Sequence, residues 1–313
     1  MAEIKPARPT YRDLRAGSGD RHALPLPPCG GAREGFTAAR GEVGADPSPQ
    51  PSPARGEGDL TGTVSCFSQT LERSAAAKDR ADATSVSGPV LQRLLAWLSP
   101  SFPVGAYSYS HGLEWAVEDG TVTDATTLSA WLGDILRHGA GRSDAVLFAH
   151  AYRAACDGER RALRELIELA AAFQPSKERH LEATAQGQAF LSTIAAAWPA
   201  VALTELLDDI PPDPPMTYAL AVAITAAAHA VPLAPAVTAY LAAFVANLVS
   251  AGVRAIPIGQ TDGQRIIATT APSVEAVAGA ALSADLDALG GATLRADVAS
   301  MKHETQYTRL FRS

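Results

Sequence analysis

Residues 214–253 read PPMTYALAVAITAAAHAVPLAPAVTAYLAAFVANLVSAGV, forty consecutive positions without Asp, Glu, Lys or Arg. Pro232 and Pro235 divide this stretch into two apolar segments at about 217–230 and 235–252. Each segment is at the short end for crossing a membrane, and alanine dominates both. We therefore predict two buried helices, in a bundle or at a dimer interface, in preference to a membrane hairpin at residues 216–252. Retention in the soluble fraction after lysis would eliminate the hairpin.

Helical periodicity continues on both sides of the uncharged stretch. One predicted helix is capped by Thr123 or Asp124, and another starts at Ser176 and runs to about residue 197. A short first helix has its leucines at i, i+3, i+4 and i+7, and no stretch alternates convincingly as a strand. The sequence thus predicts an all-α protein, a single bundle of about eight to ten helices. The first helix has Leu91, Leu94, Leu95 and Leu98 on its apolar face, and the helix after Asp124 has Leu128, Trp131, Leu132, Ile135 and Leu136.

Two polar segments are harder to place. Pro257, Gly259 and Gly263 predict a constrained loop over residues 254–265, with Ser273 capping a final long helix that runs to about Leu289. The sequence around Glu178 and Arg179, and again at residues 186–188, is charged or polar within an aliphatic stretch. We interpret both polar clusters as a solvated helix face or an intrahelical pair.

The N-terminal part of the chain differs in composition from the rest. Ten of the 22 prolines fall in the first 89 residues, and residues 46–58 are of low complexity. We predict that residues 1–88 form a disordered extension, which could also reflect an upstream start assignment. No continuous apolar segment typical of a signal peptide is present there. Residues 89–302 are then the helical domain, and residues 303–313 are a C-terminal tail.

Composition and motif searches exclude several functions. The net charge is −7, and residues 89–313 hold 15 basic and 22 acidic residues, which argues against nucleic acid as a partner. Three cysteines without a CxxC pair form no zinc or disulfide pattern, as expected in a reducing compartment. The seven histidines form no H-x-x-x-H, and neither a nucleophile elbow nor a P-loop is present. These absences give poor support to nucleophilic catalysis, and we expect no firm metal site, no resident cofactor and no P-loop nucleotidase.

The tail, residues 303–313, is rich in side chains that anchor. Tyr and Phe bury large areas, and Arg pairs in a fixed fork, so such a tail either folds back on its own domain or docks into another protein. Both readings stay open from the residues alone. The candidate docking residues are His303, Glu304, Gln306, Tyr307, Arg309, Leu310, Phe311, Arg312 and Ser313.

Three segments together resemble the UreF family of urease accessory proteins. They are SPSFPVGAYSYSHGLE at 99–114, RAIPIGQTDGQ at 254–264 and MKHETQYTRLFRS at 301–313. Their order and spacing also fit, the likeness spans about residues 90–313, and Ala106 departs from a glycine common in the family. Residues 1–88 have no counterpart in this resemblance.

The resemblance implies a cytoplasmic, non-enzymatic, all-α protein that takes part in assembling the nickel centre of urease. Family members dimerise, bind UreD (also called UreH) through a helical face and the tail, and recruit the GTPase UreG to apo-urease. Nickel would be passed through the complex without being tightly held. The tail would dock UreD, and a second set of residues would lie at the dimer or GTPase-facing surface. This set comprises Tyr107, Ser108, Tyr109, His111, Glu114, Arg254, Gln260, Asp262, Gly263 and Gln264.

A different class of function also stays open. His111, Glu114 and Arg254 could form the active site of an all-α enzyme, because they offer a base, an acid and a cation. Urease structural genes beside this one would favour the accessory role over the enzyme.

Overall fold

The computed structural model describes residues 86–313, except 209 and 212. The predicted disordered extension therefore lies outside the described residues, apart from its last three positions. In the described part the chain forms eleven α-helices and no strand. Nine of these helices have ten residues or more, so the predicted all-α bundle of eight to ten helices is confirmed.

The helices follow one another with short connections. Their bounds are α1 Gly88–Trp97, α2 Leu113–Glu118, α3 Ala125–His138, α4 Ala140–Cys156, α5 Arg160–Ala172, α6 Lys177–Ala197, α7 Val201–Leu207, α8 Tyr218–Ala228, α9 Leu233–Ala255, α10 Gln260–Ala281 and α11 Leu294–His303. Single 3₁₀ turns lie at Ala106–Ser108 and Leu286–Ala288.

Helix α8 is the centre of the bundle. All eight residues from 219 to 226 are buried, and the helix packs against α4, α6 and α9. A helix that is apolar all round gains most when neighbours cover every face, which explains its position. Its enclosure by protein confirms the prediction of a buried helix.

Helix α9 combines a membrane-like composition with a core position. It is the one described helix that is long and apolar enough to cross a membrane by length and composition alone. Half of its most apolar window is buried in the bundle, where it packs against α10, α4 and α8. The helix ends with Arg254 in its last turn, where a cation is favoured by the helix dipole.

Two predicted helix starts are confirmed by their caps. The Asp124 carboxylate accepts a hydrogen bond from the Thr127 N–H at 2.8 Å, and the Ser176 hydroxyl accepts one from the Arg179 N–H at 3.1 Å. Each cap satisfies one of the free N–H groups of a helix N-terminus. The second cap fixes the first turn of α6, which carries charged residues of the site described below.

The prediction of a loop followed by a helix from Ser273 is wrong. Helix α10 begins at Gln260 and continues through Pro272 to Ala281. The Gly259 N–H donates to the Asp262 carboxylate at 3.4 Å, so a residue predicted in the loop instead supports the helix start. Packing of α10 against α9, α3 and α4 outweighs the local cost of proline.

The apolar face predicted for α1 is also only partly right. Leu94 is buried, but its buried neighbours are Val90 and Trp97, whereas Leu91 and Leu95 are exposed. The predicted leucine face and the buried face with Val90, Leu94 and Trp97 both have helical spacing. Only packing against the rest of the chain decides which of the two faces is buried.

Helices α2 and α11 pack closely together because of one glycine. Gly112 has φ +76°, and a Cβ at this position would lie 2.8 Å from the Ser300 backbone nitrogen. Only glycine combines this left-handed backbone with so close an approach. The contact sets Glu114 of α2 beside the C-terminal end of α11, which positions the site.

Gly187 offers a test of the packing between α6 and α8. A Cβ there would lie 2.2 Å from the Met216 carbonyl oxygen, so Gly187→Ala forces the backbone of the two segments apart. We expect it to lower the free energy of unfolding by about 1–3 kcal/mol in urea denaturation. The matched control is Gly279→Ala, at an exposed position of α10 with no atom within 4 Å of the added Cβ, which should be neutral or slightly stabilising. Equal stability of the two variants would contradict this account.

Candidate functional site

The tail is folded against the helical body and is held at both ends. His303 ends α11 and is fully buried, and Phe311 and Ser313 are buried at the other end. Between them Tyr307 is fully exposed and Leu310 is largely exposed. Residues 304–310 therefore form a loop whose tip faces outward from two fixed anchor points.

Glu114 of α2 holds the backbone of the tail. One of its carboxylate oxygens accepts from the Leu310 N–H at 2.5 Å, and the other accepts from the Phe311 N–H at 2.9 Å. The second oxygen also lies 3.0 Å from Nε2 of His303. A carboxylate that accepts several N–H groups makes charge-assisted hydrogen bonds, which are stronger than neutral ones.

His303 lies between two carboxylates. Its Nδ1 is 2.6 Å from Oε2 of Glu178, and its Nε2 faces Glu114. Both ring nitrogens of His303 are therefore within hydrogen-bond distance of a carboxylate oxygen. The other oxygen of Glu178 accepts from Nη1 of Arg309 at 2.7 Å. We call this cluster of four side chains, Glu114, Glu178, His303 and Arg309, the tail clamp.

The end of the tail is held by a second set of contacts. The Ser110 N–H donates to the Ser313 carbonyl oxygen at 2.7 Å, and the Ser110 hydroxyl donates to the same oxygen. The Ser313 hydroxyl donates to Glu182 at 2.6 Å, and the Arg312 N–H donates to the Ser108 carbonyl at 2.8 Å. Residues 108–110 therefore pair with the tail as well as leading into α2.

Arg254 connects the tail to the opening segment. Its guanidinium lies between two rings, 3.7 Å from the centre of Tyr107 and 4.5 Å from the centre of Phe311. Nη1 also donates to the Tyr107 carbonyl at 2.8 Å, and Nε donates to the Ser250 carbonyl at 3.1 Å. This cation–π sandwich brings together the three segments that carried the family resemblance.

The other sequence-predicted residues divide by exposure. Gln260 and Gln264 are exposed on the first turns of α10, where Asp262 pairs with Arg265 at 2.7 Å. Gly263 is buried, and an added Cβ would lie 3.0 Å from a methyl group of Val253. Tyr109 and His111 are buried in the helical body. Glu304 at the start of the tail accepts a hydrogen bond from the Lys177 N–H at 3.0 Å. Gln306 is half-buried.

Behind the tail, a cavity of about 160 Å³ contains a buried network of charges. Glu182 binds Nη1 of Arg179 at 2.5 Å and lies 3.5 Å from Nδ1 of His111. Asp144 accepts from the Tyr240 hydroxyl at 2.8 Å. Through Glu182, which also holds Ser313, the cavity network and the tail share one carboxylate.

Sequence reasoning missed the buried charges of α6. Glu178 and Arg179 were predicted to lie on a solvated face or to form an intrahelical pair, but both are buried, and so is Glu182, for which no prediction was made. The same correction applies to Gln186 and Gly187, which are buried, whereas Gln188 is exposed. The i, i+4 spacing of Glu178 and Glu182 was the available signal, because it places two carboxylates on one helix face.

Burial sets the protonation of the cavity network. It lowers the pKa of His111 to about 4, and the Arg179 guanidinium acts in the same direction, so this histidine is neutral at pH 7. It raises the pKa of Asp144 to about 6 despite Arg179 and the Tyr240 hydrogen bond. Burial would also raise the pKa of Glu182, but Arg179, His111 and Ser313 together hold that pKa well below its usual range.

Within the described residues no group of three His, Cys, Asp or Glu side chains is arranged to hold a metal ion. Of the three residues considered for an enzyme active site, Glu114 is occupied by the tail and Arg254 is stacked between two rings. His111 lines the cavity. The arrangement clamps a peptide segment and displays its tip.

Asp144→Asn tests the buried network. In the folded chain the pKa of Asp144 is raised to about 6, above its ordinary value of 3.8, because burial disfavours the ionised form. The free energy of unfolding therefore falls as the pH rises from about 4 through about 6, since the carboxyl ionises more readily in the unfolded chain. Asn removes this loss and keeps an acceptor for Tyr240. We expect stabilisation of up to about 3 kcal/mol at pH 7.5, which disappears below pH 4. The exposed Asp134→Asn is the control; a gain for Asp144→Asn that does not depend on pH would contradict the assignment.

Glu114→Gln tests the tail clamp. The amide offers one acceptor oxygen where the carboxylate offers two, so at least one of the Leu310 and Phe311 N–H groups loses its partner. Hydrogen bonds to charged groups contribute about 1.5–3 kcal/mol, so amide exchange at these residues should accelerate at least tenfold while α8 stays protected. Glu118→Gln, exposed on the same helix, should change nothing. Unchanged exchange in Glu114→Gln would show that the carboxylate does not hold the tail.

Comparison with known proteins supplies the family. The model of the family named UreF matches residues 122–271, a range that contains Arg254 but neither Glu114 nor the tail. The chain is 54% identical over 226 residues to "Urease accessory protein UreF" of Rhodopseudomonas palustris strain HaA2, covering 72% of this chain and 94% of the relative. The protein of the same name from strain BisB18 is 53% identical over 243 residues, which is 78% of this chain and all of the relative. The protein of the same name from Bradyrhizobium diazoefficiens is 51% identical over 232 residues, which is 74% of this chain and 95% of the relative.

Proposed function

Because this chain belongs to the UreF family of urease accessory proteins, we propose that it is a non-catalytic scaffold for inserting nickel into urease. In this proposal it works in the cytoplasm as a homodimer, bridges UreD and the GTPase UreG, and regulates GTP hydrolysis on apo-urease. Nickel is cargo of the complex and is not tightly held by this chain.

The observation that carries the proposal is the tail held at both ends. An exposed tyrosine and an exposed leucine at the tip of a clamped loop are ready to enter a pocket of another protein without the entropy cost of ordering a free tail. Tyr307 supplies large apolar area with a hydroxyl at its end, a combination enriched at the centres of interfaces. We assign this tip to UreD.

The GTPase-facing surface in this proposal lies beside the Arg254 sandwich. Tyr107 is exposed, and Gln260 and Gln264 are exposed on α10, which follows α9 after the short connection at 256–259. These groups can make polar contacts with a partner, and Arg254 stacks on both Tyr107 and Phe311 of the tail. Binding at one surface can therefore affect the other through a single stacked side chain.

The homodimer in this proposal uses the outward face of α9. Ala242 and Ser250 are exposed there, Ala239, Ala243 and Ala246 are half-buried, and the helix carries no charge before Arg254. Small side chains let two helices approach closely, so the second copy would cover a surface that is unusually apolar for an outer face.

The double change Tyr307→Ala with Leu310→Ala tests the docking role. Both side chains are exposed, so the body should keep its helical circular dichroism and urea midpoint. We expect the affinity for co-expressed UreD to fall at least about tenfold, because a tyrosine is among the residues that most often dominate binding energy and the leucine adds apolar area beside it. Deletion of residues 305–313 should abolish the retention of UreD in a pull-down.

Thr308→Ala, exposed in the same loop, is the matched control and should bind as the wild type does. Undiminished UreD binding by both the double variant and the deletion would refute the docking role of the tail.

A further inference from the structure

The cavity behind the tail is large enough for a small molecule. Its volume of about 160 Å³ is roughly ten times what one water molecule needs. Pro100, Tyr107 and Ser250 of its lining are exposed, whereas Glu182 and Ala219 are buried. The cavity therefore opens to solvent between the segment before α2 and helix α9, and it ends inside the bundle.

Three polar side chains of the lining have hydrogen-bonding capacity that no described residue uses. Oδ2 of Asp144 accepts from the Tyr240 hydroxyl at 2.8 Å, which leaves Oδ1 without a donor among the described residues. Within the same part of the chain, the Tyr218 hydroxyl and the side-chain amide of Asn247 also have no partner. None of these atoms is fully enclosed by protein, so a molecule in the cavity can reach them.

Aromatic rings form much of the apolar lining. Tyr240, Phe244 and Asn247 have the spacing i, i+4 and i+7, so they share one face of α9. The Tyr218 ring, at the start of α8, lies 5.7 Å from the Tyr240 ring. Ring faces attract cations, and they also cover the alkyl part of an organic molecule.

The charges that face the cavity leave one carboxylate uncompensated. Arg179 and Glu182 of α6 form an ion pair at 2.5 Å and offset each other, and His111 is neutral because burial lowers its pKa to about 4. Asp144 of α4, with a pKa of about 6, is ionised at pH 7.5, and no cation of the described residues forms an ion pair with it. Arg254 stacks at the mouth and does not line the cavity. A cation in the cavity would therefore stabilise a buried charge.

We propose that this cavity binds a small organic cation that carries a primary ammonium group. The ammonium donates to Oδ1 of Asp144 and to the side-chain oxygens of Tyr218 and Asn247, which matches its three N–H donors in number. The alkyl part of the cation packs on the rings of Tyr240 and Phe244. This site goes beyond the proposed function and does not depend on docking of the tail.

The donor set favours an ammonium over a divalent metal ion. Metal ions bind to several carboxylate, imidazole or thiolate ligands at once. In residues 86–313 as described, no three such side chains are arranged around a common point. One free carboxylate oxygen beside a hydroxyl, an amide and aromatic rings instead suits a hydrogen-bonding organic cation.

Isothermal titration calorimetry of the full chain with butylammonium at pH 7.5 tests the proposal. The comparison ligands are 1-butanol, a neutral counterpart, and nickel(II). We expect saturable binding of butylammonium and at least about tenfold weaker binding of 1-butanol, because the alcohol cannot neutralise Asp144. Asp144→Asn should weaken butylammonium binding at least about tenfold, and the exposed Asp134→Asn is the matched control.

The affinity for butylammonium should also depend on pH and on free space. A proton and the ammonium compete for Asp144, so lowering the pH from 7.5 to 5 should weaken binding about tenfold in the wild type and leave Asp144→Asn unchanged. Ala243→Leu narrows the cavity and should weaken binding as well. Ala242→Leu, exposed on the same helix and outside the lining, should bind as the wild type does.

Binding that requires both the Asp144 carboxylate and the open cavity supports the site. The proposal is overturned if butylammonium shows no saturable binding, if 1-butanol binds as tightly, or if Asp144→Asn binds as the wild type does. Binding of nickel(II) with the same dependence on Asp144, in the absence of amine binding, would overturn it in favour of a metal site. Retention of UreD is measured separately, so each of these results leaves the proposed function in place.

Discussion

Two carboxylates, from Glu114 and Glu178, flank the fully buried imidazole of His303, and the position of the tail depends on the contacts that these carboxylates make with it. Removing one partner from a buried charge pair is strongly destabilising, because the remaining charge loses its compensation. Arg309 of the tail supplies a cation to Glu178, and both carboxylates also contact the His303 ring. The tail is therefore held mainly by charge and hydrogen bonds, with Phe311 as its buried apolar contact.

The clamp in turn depends on helices that are placed by apolar packing. Glu178 and Glu182 lie on α6, which approaches the segment before α8 closely at Gly187, and Glu114 lies on α2, which approaches α11 at Gly112. A helix shifted by even an ångström would separate oxygens and nitrogens that now lie 2.6–3.0 Å apart. The uncharged stretch that forms α8 and α9 thus determines, at a distance, whether a polar site can form.

Much of this architecture could be predicted from the sequence, and what could not has a common cause. Burial of α8 follows from its lack of charge, and the starts at Asp124 and Ser176 follow from local caps. Glu178 could not be placed, because its burial depends on His303 and Arg309, more than 120 residues later. The continuity of α10 through Pro272 was missed for the same reason, since packing with other helices decided it.

The family resemblance in the tail can now be divided into two roles. His303, Phe311 and Ser313 are buried, so their spacing in the sequence reflects the internal clamp. The side chains of Tyr307 and Leu310 are exposed, although the Leu310 N–H is held by Glu114, and this exposure makes them the better positions for specificity toward a partner. Folding back and docking outward are thus compatible for this segment: the anchors limit the conformations of the loop, and that limit lowers the entropy that a partner must overcome on binding.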